Sequence, residues 1–407
     1  MPIYSMMKIK KRRKHRLRSA CKEMTQREHD IYKIIKEEPL ISQNEIAARL
    51  GITRSAVSSY LATMQKKGII KGRGYIVNTG EYPLLVGPGH IDIVSICSKS
   101  SHRPGLYESN KTTISYGGAI KNIAHYLARL DIHPHAIFTA SSDFFGTQFL
   151  KDCTKNGIDA SDSLILNDTS MPIYNEINYD EEEVIAAATM SDNLAGRLTP
   201  DFLKTKERTF RGAAQIILHD TLSHEAIDYI TSAFNDSALV YFSTYYHDTV
   251  KHLDLINRFH YMILSFATAQ QLSFPDETPS KVFSEETLLK ICQGLRLLGI
   301  KNAVILCSLQ STCFLQEKNI YIQTTQTPAT HNRQTYRYYR DASAASIVHS
   351  LLNCHEPEMF LNHLAATKLI AASSASFIDS NYCTALVEQS IQKLDSIVYT
   401  IPESYTN

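Results

Sequence analysis

The stretches PLLVGPGHID (residues 83–92) and GGAIKNIAHYLARL (residues 117–130) decide the fold between them. Pro83-Leu84-Leu85-Val86 is an unbroken apolar run that stops at Gly87, the pattern of a strand buried on both faces. Gly117-Gly118 opens the second stretch, which continues into a helix carrying Leu127 and Leu130. The order repeats downstream: apolar runs at 136–140, 214–218, 238–242, 261–265 and 303–307 are each followed by a helical stretch. A regular strand-then-helix alternation predicts an α/β domain with a doubly wound, mostly parallel sheet over residues 82–395. Two polar-rich insertions, near 93–116 and 171–190, are expected to form the strands of a small β lid.

Upstream the chain changes character. Residues 1–80 carry 18 Lys/Arg against 6 Asp/Glu, a net +12, while the remaining residues carry 24 against 35, a net −11. The overall charge of +1 hides this split, which points the first part alone at a polyanion. Lys8–Arg18 (KIKKRRKHRLR) holds eight basic residues in eleven positions, and residues 1–23 are expected to be a basic disordered tail.

Residues 24–80 read as a DNA-binding head. Ile31, Ile34 and Ile35 mark a first helix that Pro39 cannot continue. Ser42-Gln43-Asn44-Glu45 is a capping box opening a second helix, with Ile46, Ala47 and Leu50 on one face and Gly51 at its end. Thr53 caps a third helix whose buried stripe is Val57, Leu61 and Met64. Helix, glycine-containing turn, helix is the helix-turn-helix pattern, and residues 69–77 alternate around glycines like a two-stranded wing. Arg54, Ser55, Ser58 and Ser59 face outward on the third helix, with donors and acceptors suited to base edges of double-stranded DNA. Lys66, Lys67, Lys71 and Arg73 are placed for phosphates.

Composition excludes several classes. At 43% hydrophobic and 20% charged the chain is globular. No apolar run nears the roughly 18 residues of a membrane span, and eight scattered cysteines without a C-x-x-C pair predict reduced cytoplasmic thiols and no metal site. The sixteen histidines form no metal-ligand spacing and read as surface or core residues.

The body resembles ribokinase-type (PfkB) carbohydrate kinases, particularly the sugar and pseudouridine kinase-like members with an N-terminal winged helix-turn-helix. That resemblance implies a ribokinase-like fold. It also implies a substrate side at Asp92, at Gly117, Gly118 and Asn122 (the G-G-x-x-x-N motif), and at the Asp143–Gly146 turn, with Asp220 at a strand end. Mg-ATP would be the phosphoryl donor. On the phosphate side the sequence departs from the family. Where the family has G-A-G-D, this chain has Tyr338, Tyr339, Arg340 and Asp341, which leaves Asp341 as the candidate base and Arg340 as a candidate anion partner. Ala267–Gln270 stands for N-x-x-E, and Cys307–Ser311 for L-G-x-x-G. Three readings follow: a regulator whose body binds a sugar or nucleoside and dimerises the heads, a working kinase with a regulatory head, or a body that serves dimerisation alone.

Overall fold

The computed structural model describes residues 25–37, 41–66, 82–97, 108–179, 183–189, 194–276, 284–317, 319–326, 333–373 and 381–402. The chain divides into two compact units, residues 1–80 and 81–407.

The first unit contains α1 (Gln26–Glu37), α2 (Gln43–Leu50) and α3 (Arg54–Lys66). The capping box forms as expected: Glu45 N–H donates to Ser42 Oγ at 3.2 Å, and Ser42 N–H donates to Glu45 Oε2 at 2.9 Å. Gly51 closes α2 at φ +63°, a left-handed conformation glycine adopts without strain. Ala56 N–H donates to Thr53 Oγ1 at the start of α3. Ile31, Ile35, Ile46, Val57, Leu61 and Met64 form the core of this unit. The expected wing, with Lys67, Lys71 and Arg73, lies outside the described residues. Ser42→Ala is expected to destabilise the helices of this unit by about 1 kcal/mol through the Glu45 N–H it leaves unpaired. Hydrogen exchange across α2 measures the change, and unaltered protection would show that the cap contributes nothing.

The second unit is built on a nine-stranded sheet with the order β15-β14-β13-β12-β11-β10-β9-β1-β4. In chain order its first part comprises β1 (Tyr82–Val86), β2 (His90–Cys97), β3 (Ser109–Gly117), α4 (Ala119–Arg129), β4 (His135–Ile137), β5 (Thr139–Ser141), α5 (Phe144–Lys155), β6 (Leu164–Leu166), β7 (Ile173–Tyr179) and β8 (Glu183–Thr189). Next come α6 (Pro200–Lys204), α7 (Glu207–Gly212), β9 (Ala213–His219), α8 (His224–Ala233), β10 (Ala238–Phe242), α9 (Tyr246–Thr249), β11 (Tyr261–Ser265), α10 (Phe266–Ser273) and α11 (Glu285–Leu297). The last part holds β12 (Asn302–Leu306), β13 (Ser311–Gln316), β14 (Asn319–Thr325), α12 (Arg333–Leu352), α13 (Pro357–Ser373), α14 (Thr384–Gln392) and β15 (Ser396–Pro402).

The strands from β12 to β4 pair in parallel. Because side chains alternate along a strand, Leu85, Ile217, Val240 and Ile263 pack with α4, α12 and α13 on one face. Leu84, Val86, Ile216 and Leu239 pack with α8 and α11 on the other. Covering both faces is what demands the near-continuous apolar runs.

Three features add to the sequence expectation of a mostly parallel sheet. The run 136–140 is two strands, because at Phe138 the chain leaves β1 and takes up β6, with Phe138 N–H donating to Ser163 Oγ and Leu164 N–H to the Phe138 carbonyl. The sheet ends in three antiparallel strands, β13, β14 and β15. The body also runs past residue 395, since β15 pairs along β14 to Pro402. The lid is a separate four-stranded sheet, β3-β2-β7-β8.

Candidate functional site

β1 lies between β4 and β9, and the chain leaves β1 and β9 in opposite directions across the sheet. In open α/β sheets such a switch point leaves a crevice at the carboxyl ends of the strands, where ligands bind. The predicted substrate residues gather around it.

Asp92 sits on β2, paired with Ser115 of β3 and Tyr174 of β7 at the base of the lid. His90 Nε2 lies 3.1 Å from Asp92 Oδ1. Asp92 Oδ2 occupies the space a Cβ on residue 117 would need, so Gly117 is a consequence of where the carboxylate stands. Gly118 follows at φ +103° and its carbonyl accepts the Asn122 N–H at 2.9 Å, which starts α4.

Asn122 Nδ2 donates to Asp341 Oδ2 at 2.9 Å, while Asn122 Oδ1 is buried with no hydrogen bond. Asp341, itself buried, takes Arg340 Nε and Nη2 on Oδ1 at 3.1 and 3.0 Å. The Arg340 guanidinium lies 5.7 Å over the Phe242 ring at the end of β10. Asn122 and Asp341, 219 residues apart in the chain, thus share one cluster with Arg340.

Asp143 and Asp220 have local duties. Asp143 caps α5, taking the Gly146 N–H at 2.8 Å and the Ser141 hydroxyl at 2.6 Å. Asp220 is fully buried and accepts from Thr244 N–H, Thr244 Oγ1 and Tyr245 N–H, which pins the loop leaving β10.

The phosphate side is rebuilt. The resemblance to G-A-G-D implies that Asp341 opens a helix, but Asp341 is the ninth residue of α12, which begins at Arg333. The N–H groups of residues 338–341 therefore lie within the helix and bond to carbonyls four residues earlier, so they cannot turn toward an anion as those of a helix N-terminus do. Asp341 does not cap this helix.

The turn before β13 is filled as well. Lys368 on α13 is buried and donates to the Ser308 carbonyl at 2.5 Å, the Ser311 carbonyl at 3.2 Å and Thr312 Oγ1 at 3.1 Å. Its desolvation pulls the amine down to about 7. Gln270 on α10 is buried and its Oε1 takes no hydrogen bond, so an amide stands where the family's metal-organising carboxylate aligns. A neutral amide does not supply the charge a hard cation seeks, and the residues present do not fit a catalytic Mg²⁺.

The sequence pattern does not single out His219 or Lys368. His219 is the polar end of an apolar strand, a signal too common to mark a site by itself, and Lys368 has nothing to set it apart from other helix lysines. On α3, Arg54, Ser55, Ser58 and Ser59 are exposed, with Ser59 Oγ donating to the Ser55 carbonyl, and Lys66 closes the helix.

The fold and crevice define a ribokinase-like α/β unit, and the three helices described before it in the chain belong to a winged helix-turn-helix. The family model described as "pfkB family carbohydrate kinase" matches residues 85–330, and the one described as "Winged helix-turn-helix DNA-binding" matches residues 24–71. The chain belongs to the pfkB family of carbohydrate kinases. It is 33% identical over 212 residues to the "Uncharacterized sugar kinase YeiI" of Escherichia coli (strain K12), covering 51% of this chain and 57% of that protein. It is 24% identical over 152 residues to the pseudouridine kinase of the same organism, covering 37% and 47%. The matches thus span about half of either relative. Among solved structures, a carbohydrate kinase from Agrobacterium tumefaciens superposes with a TM-score of 0.66 at 16% identity, covering 79% of this chain and all of that one. Ribokinase from Thermotoga maritima gives 0.63 at 13%, covering 76% and 99%. No helix among the described residues is long and apolar enough to cross a membrane.

Proposed function

We propose that this protein is a cytoplasmic DNA-binding transcriptional regulator whose pfkB body takes a sugar or nucleoside as effector and pairs two DNA-binding heads as a homodimer. The observation that carries this reading is the helical backbone through residues 338–341, with Asp341 tied to Asn122 and Arg340. Phosphoryl transfer depends on positioning and charge stabilisation, and the backbone that would supply them is spent on a helix. The substrate-side residues Asp92, Gly117, Gly118 and Asn122 lie close together, with the Asp92 carboxylate against Gly117 and the Asn122 N–H on the Gly118 carbonyl, which supports a body that binds without transferring.

The alternative is a working sugar or nucleoside kinase with Asp341 as base. The Asn122–Asp341 contact favours it, because it brings the candidate base against the substrate motif.

One experiment separates the two. Full-length protein is titrated onto duplexes selected from a random pool, with and without sugars and nucleosides, and ATP consumption is followed in parallel. The regulator reading expects dimeric, salt-sensitive DNA binding that shifts with effector. It also expects Asp341→Asn to leave ATP consumption at background. Ligand-dependent ATP turnover that falls 100-fold or more in Asp341→Asn would transfer the assignment to the kinase reading. A monomer at micromolar concentration by light scattering would end the paired-head model.

A further inference from the structure

The two ends of the nine-stranded sheet are finished differently. At one end β4 is three residues long and the chain covers it itself: Ala136 N–H donates to the Asp159 carbonyl at 2.8 Å, and Asp159 N–H to that of Pro134 at 3.0 Å. At the other end β15 runs seven residues along β14 in unbroken register, from Ser396 opposite Thr325 to Pro402 opposite Asn319. Among the described residues no strand pairs with its far side. An open edge is a template for another strand, and proteins blunt it with a charge, a proline, a bulge or a short run. The edge strands of the lid carry Lys111 and Glu183, and each of their ladders shifts register once. Ser396–Ile401 has none of these devices, and Ile397, Val398, Tyr399, Thr400 and Ile401 are all β-branched or aromatic.

One hydrogen bond sets the phase of the ladder. Gln326 N–H donates to the Asp395 carbonyl at 3.2 Å. Hydrogen-bonded pairs alternate along an antiparallel ladder. Residues 395, 397, 399 and 401 therefore turn their peptide groups to β14, and Ser396, Val398 and Thr400 turn theirs outward. The Thr325 N–H, opposite Ser396, points the other way, to the Gln310 carbonyl at 2.9 Å, as that alternation requires. Pro402 holds the next outward position and has no N–H, so the open stretch ends there. Ile397 is 61% exposed, on the face where Tyr399 and Ile401 pack with α11. Val398 lies on the opposite face.

We infer that β15 is the dimer interface, pairing antiparallel with β15 of a second copy about a two-fold axis at Val398. The contact is self-complementary, as an isologous interface requires. Val398 exchanges both of its backbone bonds with Val398 of the second copy, Ser396 with Thr400, and Thr400 with Ser396. This register alone pairs all three outward residues. Ile397 then falls opposite Tyr399 on the same face, a β-branched and aromatic pair at the close spacing of a non-hydrogen-bonded position. Asp395, just before the strand, falls opposite Ile401, so no like charges meet between residues 395 and 401. The nine strands of each body join into one continuous sheet. This rests on the paired-head reading and names the surface that does the pairing.

The test uses the full-length chain at micromolar concentration, read by light scattering and hydrogen exchange. Wild type is expected to be a dimer whose Ser396, Val398 and Thr400 amides gain protection as concentration rises. Thr400→Pro deletes an outward donor and sets a ring against the second copy, at a position whose own N–H bonds nothing in the monomer. It is expected to raise the dissociation constant about 100-fold. Ile397→Lys, which charges the edge, is expected to raise it at least tenfold, and Thr113→Lys on the lid edge to leave it unchanged. If Thr400→Pro fails to fold, Ile397→Lys and the amide protection of wild type decide. A wild-type dimer that both β15 variants match within threefold overturns the β15 interface alone. Outward amides that exchange alike at low and high concentration do the same, as does loss of the dimer in Thr113→Lys, which moves the interface to the lid. A wild type that stays monomeric overturns the paired-head reading and this inference with it.

Discussion

Acidifying the protein from pH 7 to pH 5 is expected to remove about 4–6 kcal/mol from the stability of the pfkB body. Three histidines carry this expectation. Burial lowers His125 to about 4, helped by Lys121, and lowers His349 to about 4, helped by His355. His363 falls to about 3 through burial and the two neighbouring imidazoles. His349 and His363 stack at 4.6 Å between α12 and α13, with His355 at 5.8 Å from each. Ser346 Oγ bonds His363 Nδ1 at 2.7 Å, which satisfies a neutral ring and gives a second proton no outlet. In the unfolded chain each histidine titrates near 6.5, so folded pKa values sit below unfolded ones. The stability is whole above pH 6.5 and is lost as pH falls toward 4, at about 2 kcal/mol per histidine by pH 5. Against a total of roughly 5–15 kcal/mol this approaches unfolding. Urea midpoints at pH 7, 6 and 5 measure it. Replacing His349 and His363 together by glutamine is expected to remove more than half of the decline. A midpoint at pH 5 equal to that at pH 7 would mean the cluster is open to water.

The parts of this molecule that are legible in the sequence are those where a periodicity or a turn residue carries the information. β1, β9, β10, β11 and β12 announce themselves because burial on both faces makes each a near-continuous apolar run, broken within β9 only by the buried Gln215. The capping box at Ser42 and Glu45 is local chemistry, complete within four residues. Asp92, Gly117, Gly118 and Asn122 stand out as a set only through the resemblance to the kinase family and its G-G-x-x-x-N motif. What stays hidden is information held by partners far along the chain. Lys368 is an ordinary lysine within α13, and only the carbonyls of Ser308 and Ser311 show that it props a turn lacking glycines. Asp341 reads as a residue at a helix start, but Arg333–Arg340 contains no glycine or proline to stop the helix from beginning eight residues earlier. The turn from β4 into β5 depends on Ser163, which no pattern around Phe138 reveals.

Gly118→Ala is expected to cost about 3 kcal/mol and to abolish ligand binding, whereas Gly196→Ala should change neither. Residue 118 sits at φ +103°, ψ 134°, a conformation that a side chain strongly disfavours. A Cβ there would also meet the Pro88 carbonyl oxygen at 2.9 Å and Gly89 Cα at 3.0 Å, both backbone, so relief requires the chain between β1 and β2 to move. The first turn of α4 moves with it, because Asn122 N–H hangs on the Gly118 carbonyl, and so does the Asn122–Asp341 bond. Stability and recognition therefore fail together. Gly117→Ala separates them: its Cβ intrudes on the Asp92 carboxylate, the end of a side chain that can swing away. That variant is expected to lose affinity at least tenfold while its urea midpoint shifts by less than half as much as that of Gly118→Ala. Gly196 has nothing within 4 Å of a built Cβ and calibrates the comparison. If Gly118→Ala unfolds at the same urea concentration as Gly196→Ala, the backbone at the entrance to α4 is not held by the approach of residues 88–89, and the crevice is looser than these distances require.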